Sequence, residues 1–210
     1  MDLLTDSDKK AISLAIEAAE KQTSGEIVFA VSDASDRYSD AALQGALAGM
    51  VVAVAVYLAI PVPHEIGLLL WTQLISFAAF YTAFLRLGWR RWFVPGREMD
   101  SRVRDAALTE FYSSGLFRTQ ESNGVLIYLS LFEHRVVVLG DRGIDEKMGA
   151  ERWDAVRDLI IRGIRDGRAC EGIVAAVETC GKVLAEHFPY RSNDTNELPN
   201  VVIDRRTDRP

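Results

Sequence analysis

Two long apolar runs separated by a short turn dominate the pattern of the chain. Residues 41–60 read AALQGALAGMVVAVAVYLAI, residues 66–85 read IGLLLWTQLISFAAFYTAFL, and neither contains a charged side chain. Neither run has the polar face of an amphipathic helix on a soluble core. About 20 apolar residues in a helix span the hydrocarbon core of a bilayer, and the prolines of the intervening PVPHE suit a helix end and a helix start. The pattern predicts a two-helix transmembrane hairpin over 41–87. The alternative is a helical hairpin buried in a soluble core, but a chain of this size has too little other protein to cover two such helices.

Basic and aromatic residues follow the second run. Lys and Arg beside a span stay on the cytoplasmic side, and Trp favours the membrane interface. The sequence begins MDLLTDSDKK and lacks the basic and apolar regions of a signal peptide. We therefore predict a multi-pass protein of the bacterial inner (plasma) membrane with two spans, both termini and the soluble domain cytoplasmic, and the lipid bilayer as a partner. The predicted interface anchors are Arg86, Trp89, Arg90, Arg91 and Trp92.

The flanks of the hairpin show alternating helical and strand patterns. Apolar residues at helical spacing predict helices, and short β-branched runs predict strands. In chain order, the predictions are a helix over 5–22, a strand over 26–32, a helix over 100–115, strands over 123–130 and 134–140, and helices over 149–167 and 170–188. One small sheet with helices packed on it is the simplest domain of this order.

The hairpin is therefore predicted to be inserted into that domain, and the end of the chain is polar. From residue 191 the sequence reads RSNDTNELPNVVIDRRTDRP, a composition typical of disorder. The predicted division is 1–40 for the first helix and strand, 41–87 for the hairpin, 88–190 for the rest of the domain, and 191–210 for a disordered tail.

The net charge and the cysteine content limit the possible partners and the cellular compartment of the protein. The net charge of −6 argues against nucleic acid as a partner, because phosphate binding needs a basic face. Cys170 and Cys180 lie in a predicted helix, where ten residues separate them by roughly 15 Å. Because a disulfide needs Cα atoms within about 7 Å, both are predicted to be free thiols, which suits a reducing compartment.

Three stretches carry a resemblance to a known family. They are TSGEIVFAV at 23–31, NGVLIYLSLFEHRVVVLGDRGID at 123–145, and the helices after them with Trp153. In these the chain resembles the TPM domain family, whose members include thylakoid lumen and bacterial membrane-associated proteins. The resemblance implies a small αβα sandwich, here interrupted by the transmembrane hairpin. For some members it also implies divalent metal binding, an acid phosphatase activity, and roles in assembling or repairing membrane complexes.

The chain also departs from the family pattern. Ser122 stands where the family usually has Asp before Asn-Gly, and DRG at 141–143 replaces a turn like Gly-Tyr-Gly. Many relatives carry a signal peptide and lie outside the cytoplasm with a span after the domain, whereas here the spans interrupt it.

Acidic residues are predicted to gather at one end of the sheet. If the first two strands run parallel, as strands joined by a crossover do, the candidate ligands Glu26, Glu121, Asp141 and Asp145 lie near that end. Clustered carboxylates suit Ca²⁺ or Mg²⁺, and a cation relieves their mutual repulsion. The alternative is a solvated acidic rim in which Asp145 caps the next helix.

The sequence contains no catalytic motif that pairs a nucleophile with a base. Neither cysteine starts a Cys–five-residue–Arg phosphate loop, and neither Gly-x-Ser-x-Gly nor a P-loop occurs. The favoured function is a non-catalytic interaction or assembly module that binds a membrane protein complex at the cytoplasmic face. The alternative is a divalent-metal-dependent phosphatase, so whether the protein is an enzyme stays open. A transporter subunit is disfavoured because the spans carry no central charge.

Overall fold

The computed structural model describes residues 3–61, 65–86, 94–119, 121–145, 151–191 and 196–206. The chain forms two compact units, one of Met1–Ser35 with Arg102–Pro210 and one of Asp36–Ser101. The second unit is thus inserted in sequence between two parts of the first. The described residues form a mixed α/β structure with seven α-helices and four strands.

The elements follow the predicted order closely. The strands are β1 (Glu26–Ser32), β2 (Gly124–Ser130), β3 (Arg135–Gly140) and β4 (Ile203–Asp204). The helices are α1 (Asp6–Glu20), α2 (Ser39–Ala59), α3 (Ile66–Arg86), α4 (Gly96–Ser113), α5 (Arg142–Asp145), α6 (Glu151–Arg165) and α7 (Ala169–His187). A 3₁₀ turn, Leu116–Arg118, lies between α4 and β2.

The four strands form one sheet in the order β3-β2-β1-β4. Strand β1 pairs with β2 in parallel, from Glu26 opposite Gly124 to Ser32 opposite Ser130. Strands β2 and β3 form the predicted antiparallel hairpin, and β4 joins the other edge in parallel with β1. The parallel pairing of the first two strands, on which the predicted acidic end depends, is confirmed.

Both faces of the sheet are covered, which explains why its central strands are apolar throughout. Ile27, Phe29 and Val31 of β1 belong to a core with α1, α6 and α7. Val28 and Ala30 point the other way, into a second core with α4. A strand buried on two faces reads as a continuous apolar run rather than an alternating one.

The inserted unit is built on α2 and α3. Both helices are long and apolar enough to cross a membrane, by length and composition. They approach closely through glycines of α2, because a Cβ added at Gly45 would lie 2.3 Å from the ring of Phe84 and one added at Gly49 would lie 2.4 Å from the ring of Phe80. The absence of a side chain at these two positions leaves room for the aromatic rings of α3.

The prediction of a disordered tail over 191–210 is wrong for its described part, 196–206. Strand β4 lies in this segment and pairs with Ala30 and Val31 of β1. Arg205 follows it, and its Nε and Nη2 lie 3.0 Å from the two carboxylate oxygens of the buried Glu110. The short apolar run that supplies this strand, VVI at 201–203, was outweighed in the sequence by the polar residues around it.

Several predicted residues fall outside the description. Trp89, Arg90, Arg91 and Trp92 lie outside the described residues, as do the side chains of Arg86 and Asp145.

Candidate functional site at the acidic end of the sheet

The strand register places three of the four candidate ligands at one end of the sheet. Glu26 begins β1 opposite Gly124, the first residue of β2. Asp141 follows β3, and its backbone N–H donates to the Gly124 carbonyl at 2.8 Å. Glu121 lies three residues before β2. The parallel pairing therefore sets these three positions at the same end, as expected from the sequence.

Two backbone segments pack directly on each other at this end. The N–H of Gly143 donates to the carbonyl of Ser122 at 3.1 Å. A Cβ at Gly143 would lie 2.7 Å from that oxygen and 2.8 Å from the carbonyl oxygen of Glu121, so a larger residue would push the segments apart. Ser122 itself adopts a left-handed conformation, with φ of 51°, which is uncommon for a residue other than glycine.

Glu26 and Glu121 are both engaged by protein groups. Glu26 is 5% exposed, and its Oε1 accepts the backbone N–H of Glu197 at 2.9 Å. Glu121 forms an ion pair with Arg191 through Oε1, and its Oε2 accepts from Ser24 Oγ at 3.5 Å. The C-terminal part of the chain thus supplies partners to both carboxylates.

Asp141 also accepts a hydrogen bond from the backbone. Its Oδ1 accepts the backbone N–H of Arg142 at 2.7 Å, at the start of α5. Its Oδ2 is buried, and no hydrogen-bond donor from the described part of the chain reaches it. A buried acceptor without a donor costs roughly 1–3 kcal/mol. This oxygen would therefore gain from a further partner.

The described donors do not by themselves form a divalent cation site. Ca²⁺ takes 6–8 oxygen ligands, and no group of three or more His, Cys, Asp or Glu side chains suited to a metal occurs among the described residues. Glu121 already pairs with Arg191. The hypothesis of a metal at this end therefore depends on Asp145, whose carboxyl lies outside the described residues, and it stays a prediction.

The opposite end of the sheet holds a buried polar cluster that sequence reasoning missed. Glu133 is fully buried, forms a hydrogen bond with Ser130, and accepts the backbone N–H of Ser35 at 3.0 Å. Ser35 Oγ also donates to Ser130 Oγ at 2.9 Å and lies 3.4 Å from the hydroxyl of Tyr128. Burial raises the pKa of Tyr128, so its hydroxyl keeps its proton at neutral pH. The signal in the sequence is a serine at the end of the predicted apolar strand and a glutamate in the predicted turn that follows it.

Both cysteines are free thiols, as predicted. Burial raises the pKa of Cys180, which is fully buried, and also that of Cys170. Since the thiolate is the nucleophilic form, neither side chain is activated for covalent chemistry.

Comparison with known proteins supports the fold and the family. Residues 92–183, which include β2, β3, α6 and most of α7, match the family model of the TPM domain. The fold is similar to that of the BA42 protein from the psychrophilic bacterium Bizionia argentinensis, determined by NMR. That similarity has a TM-score of 0.60 and 25% identity, over 97% of this chain and 96% of BA42. No curated protein matches the chain. The match to the family model over residues 92–183 and the similarity to BA42 bear out the resemblance to the TPM domain family seen in the sequence.

Proposed function

We propose that this protein is a membrane-anchored TPM domain that acts as a non-catalytic interaction or assembly module at the cytoplasmic face of a bacterial inner membrane. The observation that carries the proposal is the outer surface of the inserted unit. Large apolar side chains cover it, with Val51 70% exposed, Leu70 64% and Ile75 63%. Water disfavours such a surface by roughly 25 cal/mol per Å² of apolar area, whereas lipid tails solvate it.

The polar groups of the two apolar helices support the same environment. Thr72 Oγ1 donates to the carbonyl of Leu68 at 2.8 Å, and Thr82 Oγ1 donates to that of Ala78 at 2.7 Å. Each hydroxyl is thus satisfied within its own helix, as the absence of water in a bilayer core requires. The small residues of α2 that receive the rings of α3 resemble the interfaces of membrane helices.

A topology experiment tests the cytoplasmic location. A reporter that is active only in the periplasm and one that is fluorescent only in the cytoplasm are fused after Pro210. We expect activity from the cytoplasmic reporter alone, because the arginines after the second span favour that side. An active periplasmic reporter would contradict this orientation.

A capture experiment tests the assembly role. The native chain and a variant with Glu26, Asp141 and Asp145 changed to Ala are captured from solubilised membranes. A matched control carries Ala at Asp6, Asp166 and Glu171, which are exposed acidic residues at the start of α1 and around the turn from α6 to α7. A defined partner retained by the native chain and the control supports the module. Its loss from the triple variant alone would make the acidic end the docking surface.

A divalent-metal-dependent phosphatase is the second candidate, and the buried Oδ2 of Asp141 favours it. Asp141, Asp145 and Glu26 are the residues that would hold the ion. A bound divalent cation would supply positive charge for a phosphate ester. The tests are calorimetric titration of the full chain with Ca²⁺ or Mg²⁺ at millimolar levels and hydrolysis of a generic phosphate ester.

The phosphatase hypothesis predicts that Asp141→Asn abolishes both the heat of metal binding and the hydrolysis of the phosphate ester. Asp154→Asn, at an exposed position of α6, should leave both unchanged. Absence of metal heat from the native chain would remove this candidate and leave the interaction module.

A further inference from the structure

A pocket lies at the end of the sheet opposite the acidic residues, where β2 turns into β3. It has a volume of about 620 Å³, within the range of roughly 300–1,000 Å³ that is usual for small-molecule sites. Its wall is apolar and comes from β2, β3, α6 and the segment before α1. The wall residues are Leu3, Leu129, Leu131, Val136, Ile161 and Ile164.

The polar lining of this pocket is mainly basic. Arg135 begins β3, Arg165 ends α6, and His134 completes that side. No acidic residue lines the pocket within the described part of the chain. Two acids adjoin the lining in sequence: Glu133 is fully buried and bonded to Ser130 and the backbone of Ser35, and Asp166 pairs with Arg168. This basic lining is notable in a chain whose net charge is −6.

An apolar wall with two guanidinium groups matches one class of ligand. Arginine recognises carboxylates through paired hydrogen bonds in a fixed plane, and the wall favours a hydrocarbon chain. We propose that this pocket binds a single-chain anionic amphiphile, with the carboxylate of a fatty acid at Arg135 and Arg165 and its chain along the leucines and isoleucines.

The position of the pocket in the chain fits such a ligand. Ser130 lines the pocket and hydrogen-bonds at 2.9 Å to Ser35, the last residue of the α/β unit before the inserted hairpin. The pocket thus lies at the end of the sheet from which the chain continues into the apolar helices. A bilayer as the source of the ligand rests on the proposed function, but binding itself does not.

Photo-crosslinking of the full chain in lipid nanodiscs tests the proposal. The probe is a twelve-carbon fatty acid with a diazirine on its chain, and the comparison probe is the corresponding alcohol. Labelled peptides are quantified by mass spectrometry. The acid should label peptides that contain Leu131 and Ile161, and the alcohol should label them much less. Labelling of Val51 and Ile75 by either probe reports the bilayer and separates membrane insertion from pocket binding.

Variants identify the charged groups. Arg135→Gln with Arg165→Gln should lower pocket labelling by the acid about tenfold, since charge-assisted hydrogen bonds are lost, while labelling of the hairpin stays constant. Arg162→Gln is the matched control, because Arg162 lies on the same helix outside the pocket. Equal labelling by acid and alcohol, or no effect of the double variant in a chain with unchanged thermal unfolding, would overturn the proposal.

Discussion

The two units use the same apolar residue types in opposite ways. In the α/β unit, Phe29, Ile127 and Ile173 are completely buried. In the inserted unit, Val51 and Ile75 are more than half exposed. Both arrangements satisfy the hydrophobic effect only if the surroundings differ, because apolar surface is stable either inside a core or against lipid. An apolar run in the sequence thus specifies a helix or a strand, but the surrounding elements determine whether protein covers its apolar side chains.

Close helix contacts also differ between the units. In the α/β unit, glycine meets glycine, because a Cβ at Gly163 of α6 would lie 2.7 Å from the Cα of Gly172 in α7. In the inserted unit, Gly45 and Gly49 instead receive aromatic rings. The first contact brings two backbones together within a core, and the second fits side chains of one apolar helix onto the backbone of another.

The largest expected effect comes from charged residues placed in the two apolar helices, which test whether the inserted unit lies in a bilayer. Val51→Asp with Ile75→Asp places a charge near the middle of each apolar helix, where each costs about 2.5–3.5 kcal/mol on insertion scales. The variant should move from the carbonate-resistant membrane fraction to the extractable one. Leu14→Asp, at an exposed position of α1, is the control and should stay with the membrane. A double variant that resists extraction would argue that the hairpin does not lie in lipid.

An isoleucine-to-alanine substitution in each unit should have different effects on the stability of the α/β unit. Ile127→Ala should destabilise the α/β unit by about 2–5 kcal/mol, because it leaves a cavity between two filled layers. Ile75→Ala should change the stability of that unit by less than about 0.5 kcal/mol. The measurement is urea unfolding in nanodiscs, followed by reaction of the buried Cys180 with a maleimide in a Cys170→Ser background. Equal effects of the two substitutions would contradict the separation of the units.

Disruption of the close contact between Gly45 and Phe84 should have an effect of intermediate size on the pairing of α2 and α3. Gly45→Leu would overpack the ring of Phe84 and cost about 1–3 kcal/mol. Gln73 Nε2 lies 3.5 Å from the carbonyl of Met50, so cysteines at these two positions report helix pairing by cross-linking, with Cys170 and Cys180 replaced. Cross-linking should fall several-fold in the variant. Gly67→Leu is the control, because nothing lies within 4 Å of a Cβ there; an equal fall in both variants would count against the contact.

The sequence predicted the elements well because their patterns are local. The all-apolar β2 indicates burial on both of its faces, and the spacing of Val156 and Ile160 indicates which face of α6 is buried. The parallel pairing followed from the crossover rule. The basic pocket was not predicted, since His134 and Arg165 are far apart in sequence and meet only through packing of α6. The engagement of Glu26 by the backbone of Glu197 was missed for the same reason.

The smallest expected effect concerns β4, the strand that the sequence did not predict. Asp204 accepts from Arg206 Nε at 2.8 Å and Nη2 at 2.6 Å, and its Oδ2 lies 2.9 Å from Lys9 Nζ. Hydrogen bonds from Arg206, and then from Lys9, hold the pKa of Asp204 well below its usual value. Asp204→Asn should therefore lower the stability of the α/β unit at pH 7 by about 1 kcal/mol, a value limited by solvent screening.

The pH dependence of the stability difference shows whether the effect of Asp204→Asn comes from loss of the ion pair or from altered packing. A carboxyl with a lowered folded pKa stabilises the protein fully above its unfolded pKa of about 3.9 and less as pH falls toward the folded value. The stability difference between the native chain and Asp204→Asn should thus be constant from pH 7 to about pH 5 and shrink below pH 4. Asp6→Asn removes a fully solvated partner of the same Lys9 and should show a smaller difference throughout. A difference for Asp204→Asn that persists undiminished at pH 2 would mean that the cost of the substitution does not come from the ionised carboxylate.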